Sequence, residues 1–164
     1  MKNVVKYSSA VLLTGALAAC AAGCSATGAK DAAGSDAEIE KNTIVADDAP
    51  EALGPYSHAR TVGNMVYLSG QIGLDPKTGE LAEGIEAQTK QAMDNIGAVL
   101  SSAGLDYSDI LKTTVYVADL ADFTTVNEIY GSYFGEGPYP ARSCVQVAAL
   151  PKGALVEIEA TASK

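Results

Sequence analysis

Across residues 84–103, Ile85, Thr89, Ala92, Met93, Ile96, Val99, Leu100 and Ala103 recur at spacings of three and four. This stripe constrains the fold more than any other feature, because a helix with one long apolar face must bury that face against something. Glu86, Lys90, Gln91, Asp94 and Asn95 fall mainly on the other side, and Gly104 suits the C-terminal cap. A second amphipathic helix is expected over residues 122–134. Its apolar side is Phe123, Val126, Ile129, Tyr130, Tyr133 and Phe134, with Asp119 or Asp122 available as a cap. Residues 65–70 and 110–117 read as strands. The last two strands are expected at about 142–148 and 155–161, and residues 75–79 (Asp-Pro-Lys-Thr-Gly) form a turn. The order is strands, long helix, strand, helix, two strands. It implies an α+β domain, a single sheet with two helices packed on one face. The opposite sheet face then needs cover, and a homo-oligomer supplies it.

The chain starts differently. Lys2 and Lys6 precede an uncharged, mostly apolar run over residues 7–19. Thirteen residues are too few to span a bilayer, which takes about 20, and the pattern is that of an export signal. The run ends in Leu17-Ala18-Ala19-Cys20, which resembles the lipobox of bacterial lipoproteins. That resemblance implies a signal peptide at 1–19, lipidation of Cys20, and a domain anchored to the cell membrane outside the cytoplasm. Two acyl chains give a stable anchor where one is marginal. Cys24, in Ala21-Ala22-Gly23-Cys24, is a weaker second candidate because it lacks the leading Leu. In residues 21–42, twelve of 22 positions are Ala, Gly or Ser and Ile39 is the one large apolar residue. Such a segment buries too little to offset its ordering entropy and reads as a tether, so the lipidated cysteine and tether together occupy 20–42.

Residues 43–164 remain for one domain. Of the three cysteines only Cys144 lies in it, so no disulfide forms within the domain. The formal charge is −9, and loss of residues 1–19 with their two lysines makes it −11. There is no basic cluster of the kind a phosphate backbone requires, which argues against a nucleic-acid partner.

The period-two pattern sorts the faces of the last strands. Val145 and Val147 point one way, and Arg142, Cys144 and Gln146 the other. In the final strand Val156, Ile158 and Ala160 point one way, and Leu155, Glu157 and Glu159 the other. If these strands form a hairpin with both apolar sets toward the helices, Cys144 comes near Glu157 and Arg142 near Glu159. Arg142, Cys144 and Glu157 would then share one polar face. On the residues alone, a solvated face with a routine Arg–Glu cross-strand pair, worth about 0.2–1 kcal/mol, is the favoured reading over a functional site.

Four blocks add a resemblance. They are Ala49-Pro50 through Gly54-Pro55-Tyr56; Gly63-Asn64-Met65 through Ser69-Gly70-Gln71; residues 110–117 with Asp119-Leu120 and Asp122-Phe123; and residues 140–160. In this order and spacing they resemble the RidA/YjgF family of reactive-intermediate (enamine/imine) deaminases. The resemblance implies a chorismate-mutase-like fold, a homotrimer, and sites in clefts between subunits. It implies hydrolysis of 2-imino and 2-enamine acids to 2-oxo acids and ammonia without a cofactor or metal. Carried over, Arg142 anchors the substrate carboxylate and Glu157 handles the attacking water. Tyr56, Ser69, Gly70, Cys144 and Asn127 contact the substrate. The export signal departs from the usual family setting.

Other readings of these residues are weaker. Cys144 as a nucleophile needs a base, and nothing places the single histidine, His58, beside it. His58 has no second ligand at metal spacing and is expected at the surface or cleft rim. The competing functional class is a non-catalytic module that binds small carboxylates, or a chaperone-like protein, using the same cleft.

Overall fold

The computed structural model describes residues 40–164. The expected signal segment, Cys20, Cys24 and residues 21–39 of the tether lie outside the described residues.

Six strands form one sheet in the order β1-β2-β3-β6-β4-β5. They are β1 (Lys41–Ile44), β2 (Ala59–Val62), β3 (Met65–Ile72), β4 (Ile110–Val117), β5 (Ala141–Gln146) and β6 (Val156–Ser163). Every neighbouring pair is antiparallel except β4 and β5, which run parallel. Helices α1 (Gly84–Ser102) and α2 (Phe123–Ser132) pack on one face, as expected. The strands β1 and β2 were not anticipated. Their sequences, Lys-Asn-Thr-Ile and Ala-Arg-Thr-Val, are short and lack alternating large apolar residues. The sheet also begins at Lys41, two residues inside the segment read as a tether.

The core forms where the α1 stripe meets the sheet. Met93, Ile96, Val99 and Leu100 are fully buried against Val66, Leu68, Ile158, Ala160 and Ala162. Val115, Val117 and Val156 meet Val126 and Tyr130 of α2. Asn95, assigned by pattern to the outer side of α1, is buried. Its amide donates to the carbonyls of Ile72 at 3.0 Å and Leu74 at 2.9 Å, which fixes the chain leaving β3. Gln88 does the same for β6, its Oε1 accepting from Leu155 N–H at 2.8 Å. Beyond the last turn of α1, Gly104 at φ +74 lets its own N–H and that of Leu105 reach back to the carbonyls of Ser101 and Leu100, each at 2.9 Å.

The expected hairpin of the last two strands does not exist. β6 lies between β3 and β4, and β5 is the edge strand on the far side of β4. The reason is the crossover: β4, α2 and β5 form a parallel unit, which brings β5 to the outer edge of β4. This reverses the assigned faces of β5. Arg142 pairs across Thr113 with Ala160, and Cys144 across Val115 with Ile158, so both lie on the helix-covered face. Ser143 and Val145 align with Glu159 and Glu157 on the open face, where Val145 is 42% exposed. The β6 assignment holds: Val156, Ile158 and Ala160 are buried under the helices.

Candidate active site

Arg142 and Glu157 occupy opposite faces of the sheet, so each has its own surroundings. Arg142 and Cys144 are near neither Glu159 nor Glu157, contrary to the hairpin expectation.

The Glu157 side is a cavity of about 550 Å³ on the open face. Tyr56, Ser69, Gly70 and Glu157 line it together with the apolar Leu53 and Ile72. Its floor is a break in the β3–β6 ladder. Leu68 pairs with Ala160 but Gln71 with Ile158, so an extra residue bulges at Ser69-Gly70. The bulge brings Gly70 under Glu157, and a Cβ built on Gly70 would lie 2.8 Å from the carboxyl carbon of Glu157. Only glycine allows that approach. The Ser69 hydroxyl donates to the Ser57 carbonyl at 2.7 Å, and its N–H to the His58 carbonyl at 2.9 Å. The Tyr56 hydroxyl accepts from Leu53 N–H at 3.0 Å, which leaves its own proton to donate into the cavity. Burial, and then the neighbouring Glu159, push the Glu157 carboxyl above its ordinary range. A carboxylate so placed exchanges protons more readily near neutrality than an exposed one.

The Arg142 side is a pocket of about 400 Å³ at the β5 edge, lined by Asn127, Tyr130, Gly131, Tyr139, Pro140 and Arg142. Asn127 Oδ1 accepts from Arg142 Nη2 at 2.5 Å. The guanidinium lies 4.8 Å from the Tyr130 ring centroid and 5.8 Å from that of Phe123. Tyr130 is held in turn by a 2.8 Å hydrogen bond with Thr113. Among the described residues the one ion pair is Lys90–Asp94, so the cross-strand Arg–Glu pair is absent and Arg142 has no carboxylate partner. Cys144 packs against the core beside α2, where burial raises its thiol above its ordinary value. A raised thiol is a poor nucleophile at neutral pH.

Three further placements bear on the candidates. His58 is 8% exposed, not a surface residue, because both ring nitrogens are engaged by backbone. Gln146 is structural, its Oε1 accepting from Leu120 N–H. A larger groove of about 750 Å³ lies between α1 and α2, but its Lys90 and Asp94 neutralise each other and Tyr133 donates to Asp94 at 2.7 Å. That groove holds none of the candidate residues. No cluster of three or more potential metal ligands occurs among the described residues.

Sequence reasoning missed the walls. Phe123 and Tyr130 were read only as apolar core, yet with Asn127 they stand at i, i+4 and i+7 on α2 and form the cradle of Arg142. The asparagine within that aromatic stripe was the available signal. Leu53 and Ile72 carried no comparable signal.

The fold defines a single-sheet α+β domain with the Glu157 carboxylate lining a cavity on one face and the Arg142 guanidinium on the other. The family described as Endoribonuclease L-PSP matches residues 46–164. Over 122 residues the chain is 52% identical to the 2-iminobutanoate/2-iminopropanoate deaminase of Salmonella typhimurium, covering 73% of this chain and 95% of that protein. The crystal structure of the YjgF gene product of E. coli aligns with a TM-score of 0.72 at 49% identity, covering 75% of this chain and 98% of that one. E. coli TdcF with bound serine aligns with a TM-score of 0.73 at 45% identity, over 75% and 98% of the two chains. The chain belongs to the RidA/YjgF (L-PSP) family.

Proposed function

We propose that this protein hydrolyses reactive 2-imino and 2-enamine acids to 2-oxo acids and ammonia. The observation that carries the reading is the complementary state of two groups. Arg142 is a preoriented guanidinium without an acid partner among the described residues, and Glu157 is a half-buried carboxylate whose proton affinity is raised.

Each group suits one part of the substrate. The guanidinium fork receives the substrate carboxylate in two parallel hydrogen bonds. Glu157 takes a proton from water as the oxygen attacks C2. The C–O bond forms and the C=N bond becomes single, giving a carbinolamine. In the carbinolamine formed from the protonated imine, the carboxyl group returns that proton to nitrogen, the C–N bond breaks and ammonia leaves, and the regenerated Glu157 carboxylate takes the hydroxyl proton as the ketone forms. Tyr56 donates a hydrogen bond into the cavity, and Ser69 and Gly70 shape its floor. Asn127 holds Arg142, and Cys144 lies at the same edge without acting as a nucleophile.

Because the half-sites lie on opposite faces, this reaction requires the edge of one copy to dock on the open face of another. Contact between two different patches is heterologous, and repetition gives a ring when the rotation between copies closes. The family resemblance makes that ring a homotrimer. The exposed Val145 and the open-face Tyr116 provide part of the contact.

A second reading has one specific support. The TdcF neighbour carries serine, so the same cleft could retain a carboxylate ligand without turning it over. Ribonuclease action, which the family description names, fits poorly with the net charge of −9. The Leu17-Ala18-Ala19-Cys20 run supports membrane anchoring outside the cytoplasm.

The test couples the protein to an amino-acid oxidase or a threonine dehydratase and follows the lifetime of the imine. Accelerated decay that is lost in Arg142→Ala supports the deaminase. An unaltered lifetime with saturable binding of a 2-oxo acid selects the binding module.

A further inference from the structure

The cavity over Gly70 holds a second carboxylate to which the reaction above gives no task. Glu159 lines it beside Glu157, and Pro151 joins Leu53 and Ile72 among its apolar residues. Glu157 and Glu159 stand two positions apart on β6, so both side chains leave the sheet on the open face. Alternate residues of a strand are roughly 7 Å apart, which puts any group bound at Glu157 within reach of the Glu159 charge. That charge is already felt there, since it acts after burial as the second cause of the raised Glu157 carboxyl.

The cations nearby are engaged elsewhere. Among the described residues the one ion pair is Lys90–Asp94, in the groove between the helices. Lys112 belongs to the adjacent β4, but its ammonium donates to the Thr114 hydroxyl at 3.4 Å. Lys152 follows the lining Pro151, and its ammonium donates to the Gly79 carbonyl at 3.2 Å. Opposite Glu159 and Glu157 on β4 stand Thr114 and Tyr116, which bring no positive charge. The cavity therefore combines apolar residues with a negative charge that no ion pair offsets.

This combination acts on the part of the substrate that the two half-sites leave free. With the α-carboxylate on Arg142 and C2 at Glu157, the side chain takes the remaining space. An alkyl chain gains from contact with Leu53, Ile72 and Pro151. A carboxylate at the end of that chain would meet Glu159 in a partly desolvated space, where like charges repel more strongly than in bulk water.

We propose that Glu159 is a specificity-determining residue: its carboxylate, set beside Glu157 in the cavity, rejects 2-imino acids with an acidic side chain and leaves the site to those with apolar side chains. The inference rests on the reading of this cavity as the ligand site, and deepens it by naming the substrate class. Discrimination of this kind comes from a repulsive element as well as an attractive one.

The experiment compares two 2-oxo acids of one shape. 2-Oxoglutarate ends in a carboxylate, and 5-methyl-2-oxohexanoate carries an isopropyl group of the same branching in its place. Calorimetry on the full chain at pH 8 gives the Kd of each for wild type, Glu159→Gln and Glu159→Asp, and the readout is the ratio of the two. The wild type is expected to favour the isopropyl ligand. Glu159→Gln should narrow that ratio roughly tenfold, the scale of one like-charge contact removed from a partly desolvated site. Glu159→Asp keeps the charge and should keep most of the ratio. A merely structural role for Glu159 would move both Kd values together and leave the ratio as it is. An unchanged ratio in Glu159→Gln overturns the inference and leaves the ligand site standing. Absence of saturable binding of either acid to the wild type overturns the ligand-site reading, and the inference falls with it.

Discussion

The Glu157 carboxylate lies directly over the α-carbon of Gly70, in the space a side chain on Gly70 would fill. Gly70 has no positive φ, so alanine is compatible with its backbone. The added methyl meets only the flexible end of Glu157. Gly70→Ala should therefore leave stability within about 1 kcal/mol of the wild type, while kcat falls on the order of a hundredfold as the carboxylate is displaced. Thermal unfolding and steady-state rates on the same preparation check this. A large loss of stability, or full activity, contradicts the placement of Glu157.

Glu157 also links activity to pH. Burial and Glu159 raise its folded-state proton affinity above that of the unfolded chain. The folded state then holds the proton more tightly, so its stability is greatest below the ordinary carboxylate range and declines as pH rises through the raised value. Glu157→Gln should be more stable than wild type at pH 7.5 and no more stable at pH 4. Denaturant midpoints at the two pH values measure the difference. Glu159→Gln should move the acid limb of kcat/KM to lower pH, because it removes the second cause of the shift.

Arg142 is held by Asn127 and two aromatic rings, not by an acid. Arg142→Ala should thus cost little stability and much binding. A charge-assisted hydrogen bond contributes about 1.5–3 kcal/mol, so kcat/KM should fall roughly tenfold to a hundredfold, mostly through KM. Arg142→Lys should restore little, because an ammonium cannot make the planar two-point contact. Equal KM in wild type and Arg142→Ala rules out the carboxylate role.

Much of this was legible in the residues. The stripe on α1 and the β4 run define both elements and the helix-covered face, because period and burial are tied locally. The position of β5 was not legible. Alternation tells which side chains of a strand share a face, but not which strand lies beside it or which face meets the helices. The more apolar set of β5 includes Val145, and pattern placed it inward, whereas the parallel crossover through α2 turns it to the open face. An apolar residue left exposed on a sheet face looks, in sequence, like one buried in the core. The relationship read between Arg142 and Glu157 did not hold, because the two lie on opposite faces of the sheet.

The lipobox-like run gives a prediction that depends on none of these contacts. Cys20→Ser should release the protein from membranes into the soluble fraction, because acyl chains attached there would supply the anchor. Membrane attachment that persists in the variant points to retention by another segment.

The split site makes the strongest demand. If Arg142 of one copy serves Glu157 of the next, then Arg142→Ala and Glu157→Gln are complementary lesions. Each alone impairs every site, so at substrate concentrations below the wild-type KM each parent shows little activity. In a closed ring of three, any mixed assembly has one junction where an intact arginine faces an intact glutamate. Random mixing at equal amounts should therefore recover about a quarter of wild-type activity. Coexpression of the two variants, or refolding them together, followed by the imine assay, provides the measurement. Light scattering should give a mass near three subunits for the mixture and for each parent. A site contained within one chain predicts no recovery, since every subunit in the mixture carries one of the two lesions. The sheet geometry favours recovery, because in a single copy Arg142 aligns with Ala160 on the helix-covered face and Glu157 stands on the other side.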